Sequence, residues 1–265
     1  MQNNTISTLF IARNLIRLPA VDSTNNYLKQ LVSKSEPLAE GTVIMADNQF
    51  AGRGQQENIW HAEPGLNLTF SIFLKPVFLP IAQQFLLNMA VCMGINDALV
   101  EYIKNGIKVK WPNDIYCHHE KMGGVLIENS ISGNVIKSSI IGIGINVNQQ
   151  NLDPEKTGNA TSLNKILQRD VNLSELLSAL CNHIEAHYLK LRAGKHNELH
   201  KAYLHSLYQY EEPAKYKTKG EIFEATIIDV TQAGQLVLVD GNSEKRFNFK
   251  EVEFLVQPDK KNQSL

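Results

Sequence analysis

Lys110, Asn113, Asp114 and Lys121 are the residues whose types and spacing point most directly to chemistry. They stand in Lys110-Trp111-Pro112-Asn113-Asp114 and in Lys121-Met122-Gly123-Gly124 just beyond it. Pro112 has no backbone N–H and a fixed φ, so a strand ending at Trp111 stops there. Asn113 and Asp114 are turn residues that present their side chains at the end of a sheet. A new apolar strand starts at Ile115, with His118-His119-Glu120 as its polar turn, which brings Lys121 across the mouth of the same hairpin. Two ammonium groups beside a carboxylate and a carboxamide suit an anionic ligand. Asp114 and Asn113 are then available to a metal ion or to a nucleophile's proton. Cys117 to Glu120 offer further metal-ligand types, but adjacent strand residues point to opposite faces, which argues against a site there.

A second chemical segment is Gln49-Phe50-Ala51-Gly52-Arg53-Gly54-Gln55-Gln56. A glycine on each side of Arg53 exposes backbone N–H groups and lets the loop approach a ligand, with a guanidinium between them. The loop lacks the Lys-Ser/Thr ending of a P-loop and leads to a strand rather than a helix. Gly142-Ile143-Gly144 lacks the third glycine and the following helix of a dinucleotide site, so it reads as a strand end leading to Asn146. Trp111 reads as a packing aromatic, and Trp60 as either core or ligand platform.

These segments need elements to hold them. Ser23 or Thr24 is an N-cap for a helix over 26–34. Strands are expected over 42–47 and 66–74, separated by a glycine-bearing loop over 48–65, and over 107–111, 125–130 and 135–145. Apolar residues recurring at three and four predict a long helix over 81–104 and another over 173–192, with shorter ones near 162–168 and 196–206. From Glu211 short β-type runs alternate with Gly220, Gly234 and Gly241, which suggests a small antiparallel barrel of roughly 50 residues. The division expected is a catalytic unit over 1–210 and a barrel over 211–265.

The 265 residues are 43% apolar and carry 26 basic against 27 acidic side chains, so the chain as a whole has no electrostatic attraction to DNA or to an anionic membrane. Its three cysteines are far apart and fit a reducing, cytoplasmic setting. No signal peptide and no run long enough to span a membrane is evident.

The order Ser23-Thr24-Asn25, Gln49…Gly52-Arg53-Gly54, Trp60, Lys110–Asp114, Lys121…Gly124 and Gly142–Asn146 resembles the biotin–protein ligase family. That resemblance implies an α+β fold: a mixed β-sheet with helices mainly on one face, like class II aminoacyl-tRNA synthetases and biotin ligases, plus a C-terminal SH3-like β-barrel. It implies activation of biotin with Mg2+ and ATP to biotinyl-5′-AMP, then transfer to one lysine of a biotin carboxyl carrier protein domain. It further implies residue roles. Arg53 and the N–H groups of Gly52 to Gly54, with Gln55 next in the loop, fold over the carboxylate and α-phosphate. Lys121 sits at the bond being made. Asn113, Asp114 and Lys110 line the phosphate and metal side, with Asp114 also orienting the incoming amine. Ser23, Thr24, Asn25 and Gln49 surround the ureido head group, Gly123 and Gly124 form a flat wall, Trp60 faces the adenine, and Asn146 contacts the nucleotide.

Gln55 stands where many members have a second arginine, so tight retention of the adenylate is expected to rest on Arg53 and on the polar loop over 148–158. About 20 residues precede Ser23, too few for a helix-turn-helix, so no repressor role is expected. A homodimer paired through the sheets is compatible with the resemblance. A lipoate–protein ligase or octanoyl transferase of the same fold, and a biotin sensor without catalysis, are the rival readings.

Overall fold

The computed structural model describes residues 6–34, 37–55, 58–241 and 243–255. Its frame is a seven-stranded mixed sheet in the order β1-β2-β3-β7-β6-β5-β4. The strands are β1 (Leu15–Val21), β2 (Val43–Gln49), β3 (Leu68–Leu74), β4 (Ile107–Lys110), β5 (Asp114–Cys117), β6 (Glu120–Ser132) and β7 (Val135–Ile145). Only β1 and β2 run parallel; the other neighbours are antiparallel.

Helices α2 (Phe85–Val100), α5 (Leu173–Arg192) and α6 (His196–Ser206) are grouped on one face, and α1 (Thr24–Val32) lies on the other against β2, β3 and β7. The short helices α3 (Pro154–Thr157) and α4 (Leu163–Leu167) follow β7. α2 is buried nearly all round because it is sandwiched between the sheet and α5 and α6. At its crossing with α5, a Cβ on Gly94 would lie 2.5 Å from the Ile184 Cα, so only glycine permits that approach. The long helix expected over 81–104 is shorter than its pattern, with a 3-10 turn, Ile81–Gln83, ahead of α2.

Strand alternation divides the sheet into two faces. Leu68, Phe70, Ile72 and Leu74 of β3 and Ile141, Ile143 and Ile145 of β7 join the main core against the helices. On the other face, Ile44, Phe73 and Ile140 close around Leu28 of α1 in a second, smaller core. The residues before Ser23 carry no evident strand pattern, yet β1 forms there. It contains Pro19, which an edge strand tolerates.

The C-terminal part forms a five-stranded antiparallel sheet in the order β11-β10-β9-β8-β12. Its strands are β8 (Pro213–Thr218), β9 (Glu221–Val230), β10 (Leu236–Asp240), β11 (Ser243–Phe247) and β12 (Glu253–Phe254). Among the described residues β11 and β12 are its two edges, so a C-terminal sheet is present where closure into a barrel was expected. Among the described residues no helix is long and apolar enough to cross a membrane.

Candidate active site

The floor of the site is set by register. Ala46, Thr69, Gly144, Gly124 and Asp114 are successive cross-strand partners, so their side chains form one row on the α1 face. Ile44, Ser71, Gly142 and Leu126 form the next row. Gly142, Gly144 and Gly124 therefore make a flat patch between polar ends. Something packs on each of the β7 glycines: a Cβ on Gly144 would lie 2.5 Å from the Trp60 ring, and one on Gly142 would lie 2.5 Å from the Asn25 Oδ1.

Above this floor is a cavity of about 180 Å³, walled by Ser23, Thr24, Asn25 and Gln49 at one end and by Asn113, Asp114 and Lys121 at the other. The first end is a closed chain of hydrogen bonds. The Gln49 Oε1 accepts from the Thr24 N–H (2.9 Å) and from its hydroxyl (3.1 Å). The Ser71 Oγ contacts the Thr24 Oγ1 and the Asn25 Oδ1, both at 2.6 Å. Ser23 is the N-cap residue of α1, but its buried hydroxyl makes no capping bond.

At the other end, the Lys121 ammonium is 2.6 Å from the Asp114 carboxylate, both groups being about one-third exposed. Asn113 donates its carboxamide N–H to the Val125 carbonyl, and the Val125 N–H returns a 3.0 Å bond to the Asn113 carbonyl, which ties the turn to β6. The turn backbone is anchored from the core side as well, since the Pro112 carbonyl accepts from the Asn88 Nδ2 (2.8 Å) and the Tyr203 hydroxyl (3.3 Å). Asn113 and Asp114 both line this cavity and carry oxygen-ligand types that suit a magnesium ion held mostly by phosphate and water. Among the described residues no group of three metal-ligating side chains converges, at Cys117 to Glu120 or elsewhere.

Trp60 and Lys121 also line a second cavity, with Asn146, Lys156, Thr157 and Ala160 on its far side. The Asn146 Nδ2 donates to the Thr161 carbonyl, but its buried Oδ1 has no partner, and neither has the buried Trp60 indole N–H. Trp60 and Lys121 thus stand where two lobes meet.

Arg53 lines the first lobe, though not as expected. Its guanidinium is on Glu128 (2.8 and 3.4 Å) and Asn26 (2.8 Å) rather than folded inward. Gly54 and Gln55 line the first lobe, while Gly52 supports Trp60 by accepting its N–H at 3.0 Å.

Two further placements differ from expectation. Gly123 and Gly124 are consecutive on β6 and cannot both wall one ligand: Gly124 faces Asp114 and Lys121, whereas Gly123 faces Ile145. The flat wall is completed by Gly142 and Gly144 instead. Lys110 is level with Asp114 in the β4–β5 pair, yet its ammonium donates to the Tyr116 hydroxyl (3.1 Å) and rests over the Tyr116 and Phe254 rings at 4.9 and 5.4 Å. Burial pushes its pKa below the usual lysine range; Asp114 opposes that shift and Lys121 adds to it. Lys110 therefore stands behind the carboxylate and does not line the cavity. Trp111 is buried packing, its indole N–H donating to the Gly234 carbonyl at 2.9 Å.

Thr69, Ser71 and Glu128 carry no motif and were missed. A signal for the first two exists: polar residues at alternate positions of an otherwise apolar strand.

The fold is α+β, a mixed sheet whose glycine floor, hydroxyl-lined lobe and lysine–carboxylate pair meet at the junction of two cavities. Residues 18–146 match the model of the Biotin/lipoate A/B protein ligase family, so the chain carries a domain of that family. It is 30% identical over 185 residues to the bifunctional ligase/repressor BirA of Bacillus subtilis, covering 69% of this chain and 56% of that protein. It is 28% identical over 179 residues to biotin–protein ligase 2 of Arabidopsis thaliana, covering 66% and 50% respectively. The chain thus spans about half the length of the curated relatives it matches. Among solved structures, the biotin protein ligase from Aquifex aeolicus in complex with biotin and ATP is similar at 27% identity and a TM-score of 0.76, over 92% of this chain and 100% of that one.

Proposed function

We propose that the protein joins biotin to ATP, forming biotinyl-5′-AMP and releasing pyrophosphate, and then passes the biotinyl group to a lysine amine of a biotin carboxyl carrier protein domain, releasing AMP. The observation that carries this reading is the position of Lys121 at the meeting of the two lobes. The first step sets a carboxylate against an α-phosphate, two anions, and a cation fixed between them lowers that barrier most effectively.

In this reading the hydroxyls of Ser23 and Thr24 and the Gln49 carboxamide take the ureido ring of biotin, while Asn25 holds the others in place. The open part of the glycine floor, at Gly124, accepts the flat ring system, and the acid end of biotin points to Lys121. The nucleotide occupies the second lobe, where the unpartnered Asn146 Oδ1 offers an acceptor for an amino group and Trp60 an aromatic face. Asp114 and Asn113 would hold Mg2+, which neutralises charge on the phosphates. Asp114 afterwards orients the neutral amine of the carrier lysine. Lys110, behind Asp114, contributes positive potential rather than contact. The catalytic unit is taken as 1–210 and the C-terminal sheet as an SH3-like barrel over 211–265. The setting is taken as cytoplasmic.

Isotope exchange between ATP and pyrophosphate is the test. It is expected with biotin, to be weak or absent with lipoate, and to be followed by carrier labelling. Exchange with lipoate alone would move the protein to the rival ligase, and binding of biotin with no exchange would make it a sensor.

A further inference from the structure

Glu128 of β6 gathers four donor contacts from two other elements onto one carboxylate. Its Oε1 accepts from the Lys29 Nζ (2.6 Å) and the Arg53 Nη2 (2.8 Å), and its Oε2 accepts from the Asn25 Nδ2 (2.8 Å) and the Arg53 Nη1 (3.4 Å). The side chain is only 20% exposed. Burial alone would raise its pKa, but the bonds from Lys29, Asn25 and Arg53 outweigh it and hold the carboxyl below the usual glutamate range.

The loop that Glu128 grips is internally braced. The Gly54 N–H donates to the Asn58 carbonyl (2.7 Å), the Trp60 N–H to the Gly52 carbonyl (3.0 Å), and Arg53 bridges Ile59. Its base is fixed by backbone bonds from Phe50 to Val21 and from Ala51 to Asp22. Among the described residues of the tip, 52–55 and 58–60, Arg53 is the one whose side chain reaches the body of the protein in the hydrogen bonds above. Through Asn25, Ser71 and Thr24, the carboxylate is also continuous with Gln49 at the closed end of the first lobe.

We propose that Glu128 is a positioning residue that holds Arg53, and with it the loop tip, across the first lobe, and so sets how long a ligand stays there. The proposal rests on the assignment of that lobe to biotin. A two-pronged, partly buried guanidinium–carboxylate pair is stronger than an exposed one, and it holds an orientation that a lysine could not. Asn25 shares the same oxygen, so a ligand that orders Asn25 also orders the acceptor of Arg53.

The test compares wild type, Glu128→Gln, Arg53→Ala and the double variant by stopped-flow biotin dissociation. Glu128→Gln is expected to release biotin about tenfold faster, and the double variant no faster than Arg53→Ala, because the two act through one bond. Arg53→Lys, a surface change that leaves the core intact, is expected to release about threefold faster. A second readout needs no ligand: trypsin should cut the folded protein after Arg53 faster in Glu128→Gln than in wild type. Unchanged dissociation with unchanged cutting, or additive effects in the double variant, overturns the proposal. If wild type binds no biotin, the assignment of the lobe fails, and the cutting comparison still decides whether Glu128 holds the loop.

Discussion

On the Thr24 side of Trp60 the polar groups already answer one another, from Gln49 through Thr24, Ser71 and Asn25 to Glu128. On the Asn146 side a buried carboxamide oxygen has no partner, and neither has the indole N–H of Trp60, which lines both lobes. A buried polar group without a partner is costly, and one facing a cavity gains most from a ligand that completes it. The first lobe is thus preorganised: a ligand there exchanges bonds within a network whose geometry is already fixed. The second is incomplete, and its ligand supplies what is missing. Selectivity should therefore be sharp in the first lobe and more tolerant in the second.

The junction between the lobes should be the most sensitive point. Lys121→Ala is expected to lower biotin-dependent ATP–pyrophosphate exchange by about 10²- to 10³-fold, the loss typical of one fixed group facing developing charge. Exchange within threefold of wild type would remove Lys121 from the junction. Gly144→Val comes next, because its side chain would occupy the place of the Trp60 ring. Equilibrium binding should weaken roughly thirtyfold for both biotin and ATP, since Trp60 lines both lobes. Weakening of one ligand alone would break the idea of a shared wall.

A paired measurement separates the lobes. Thr24→Val removes one of two partners from both Gln49 and Ser71 and should weaken biotin about tenfold while sparing ATP. Asn146→Ala removes an unpartnered oxygen together with the Nδ2 bond to the Thr161 carbonyl, and should weaken ATP only about threefold while sparing biotin. If both variants affect both ligands equally, the distinction between a finished and an unfinished lobe is wrong. Of the same size is Gln55→Arg, expected to slow release of biotinyl-AMP about threefold by adding a second cation at the loop; faster release would contradict it.

The smallest effect is on stability. The Glu128 carboxyl is held below its ordinary value of 4.5 in the folded protein. A depressed carboxyl contributes stability that is present above the unfolded value and is lost as pH falls through the folded value. The difference in urea stability between wild type and Glu128→Gln should therefore be largest near neutrality and shrink below about pH 4. A difference that grows on acidification would have the wrong sign.

The hairpin around Asp114 and the loop around Arg53 were legible in the sequence because turn residues announce themselves locally: a proline, a pair of glycines, an Asn-Asp step. Lys121 was placed by its spacing from them. Glu128 was not legible, since its partners Asn25, Lys29 and Arg53 lie 75 or more residues away in the chain. The exchange of roles between Gly123 and the Gly142 and Gly144 pair follows from strand register, which motif spacing does not reveal. The direction of Lys110 was hidden for a similar reason, because the Phe254 ring that receives it belongs to the other sheet.

That last contact, with the Trp111 bond to Gly234, gives the C-terminal sheet a mechanical task. The strand-and-turn segment carrying Asp114 is pressed between Asn88 and Tyr203 on one side and Gly234, Phe249 and Phe254 on the other. The small sheet is a buttress for a carboxylate it never touches. Loosening it, for example by Phe254→Ala, would leave biotin and ATP held in their lobes while the transfer step lost its alignment, so damage far from the ligands would register in turnover rather than in affinity.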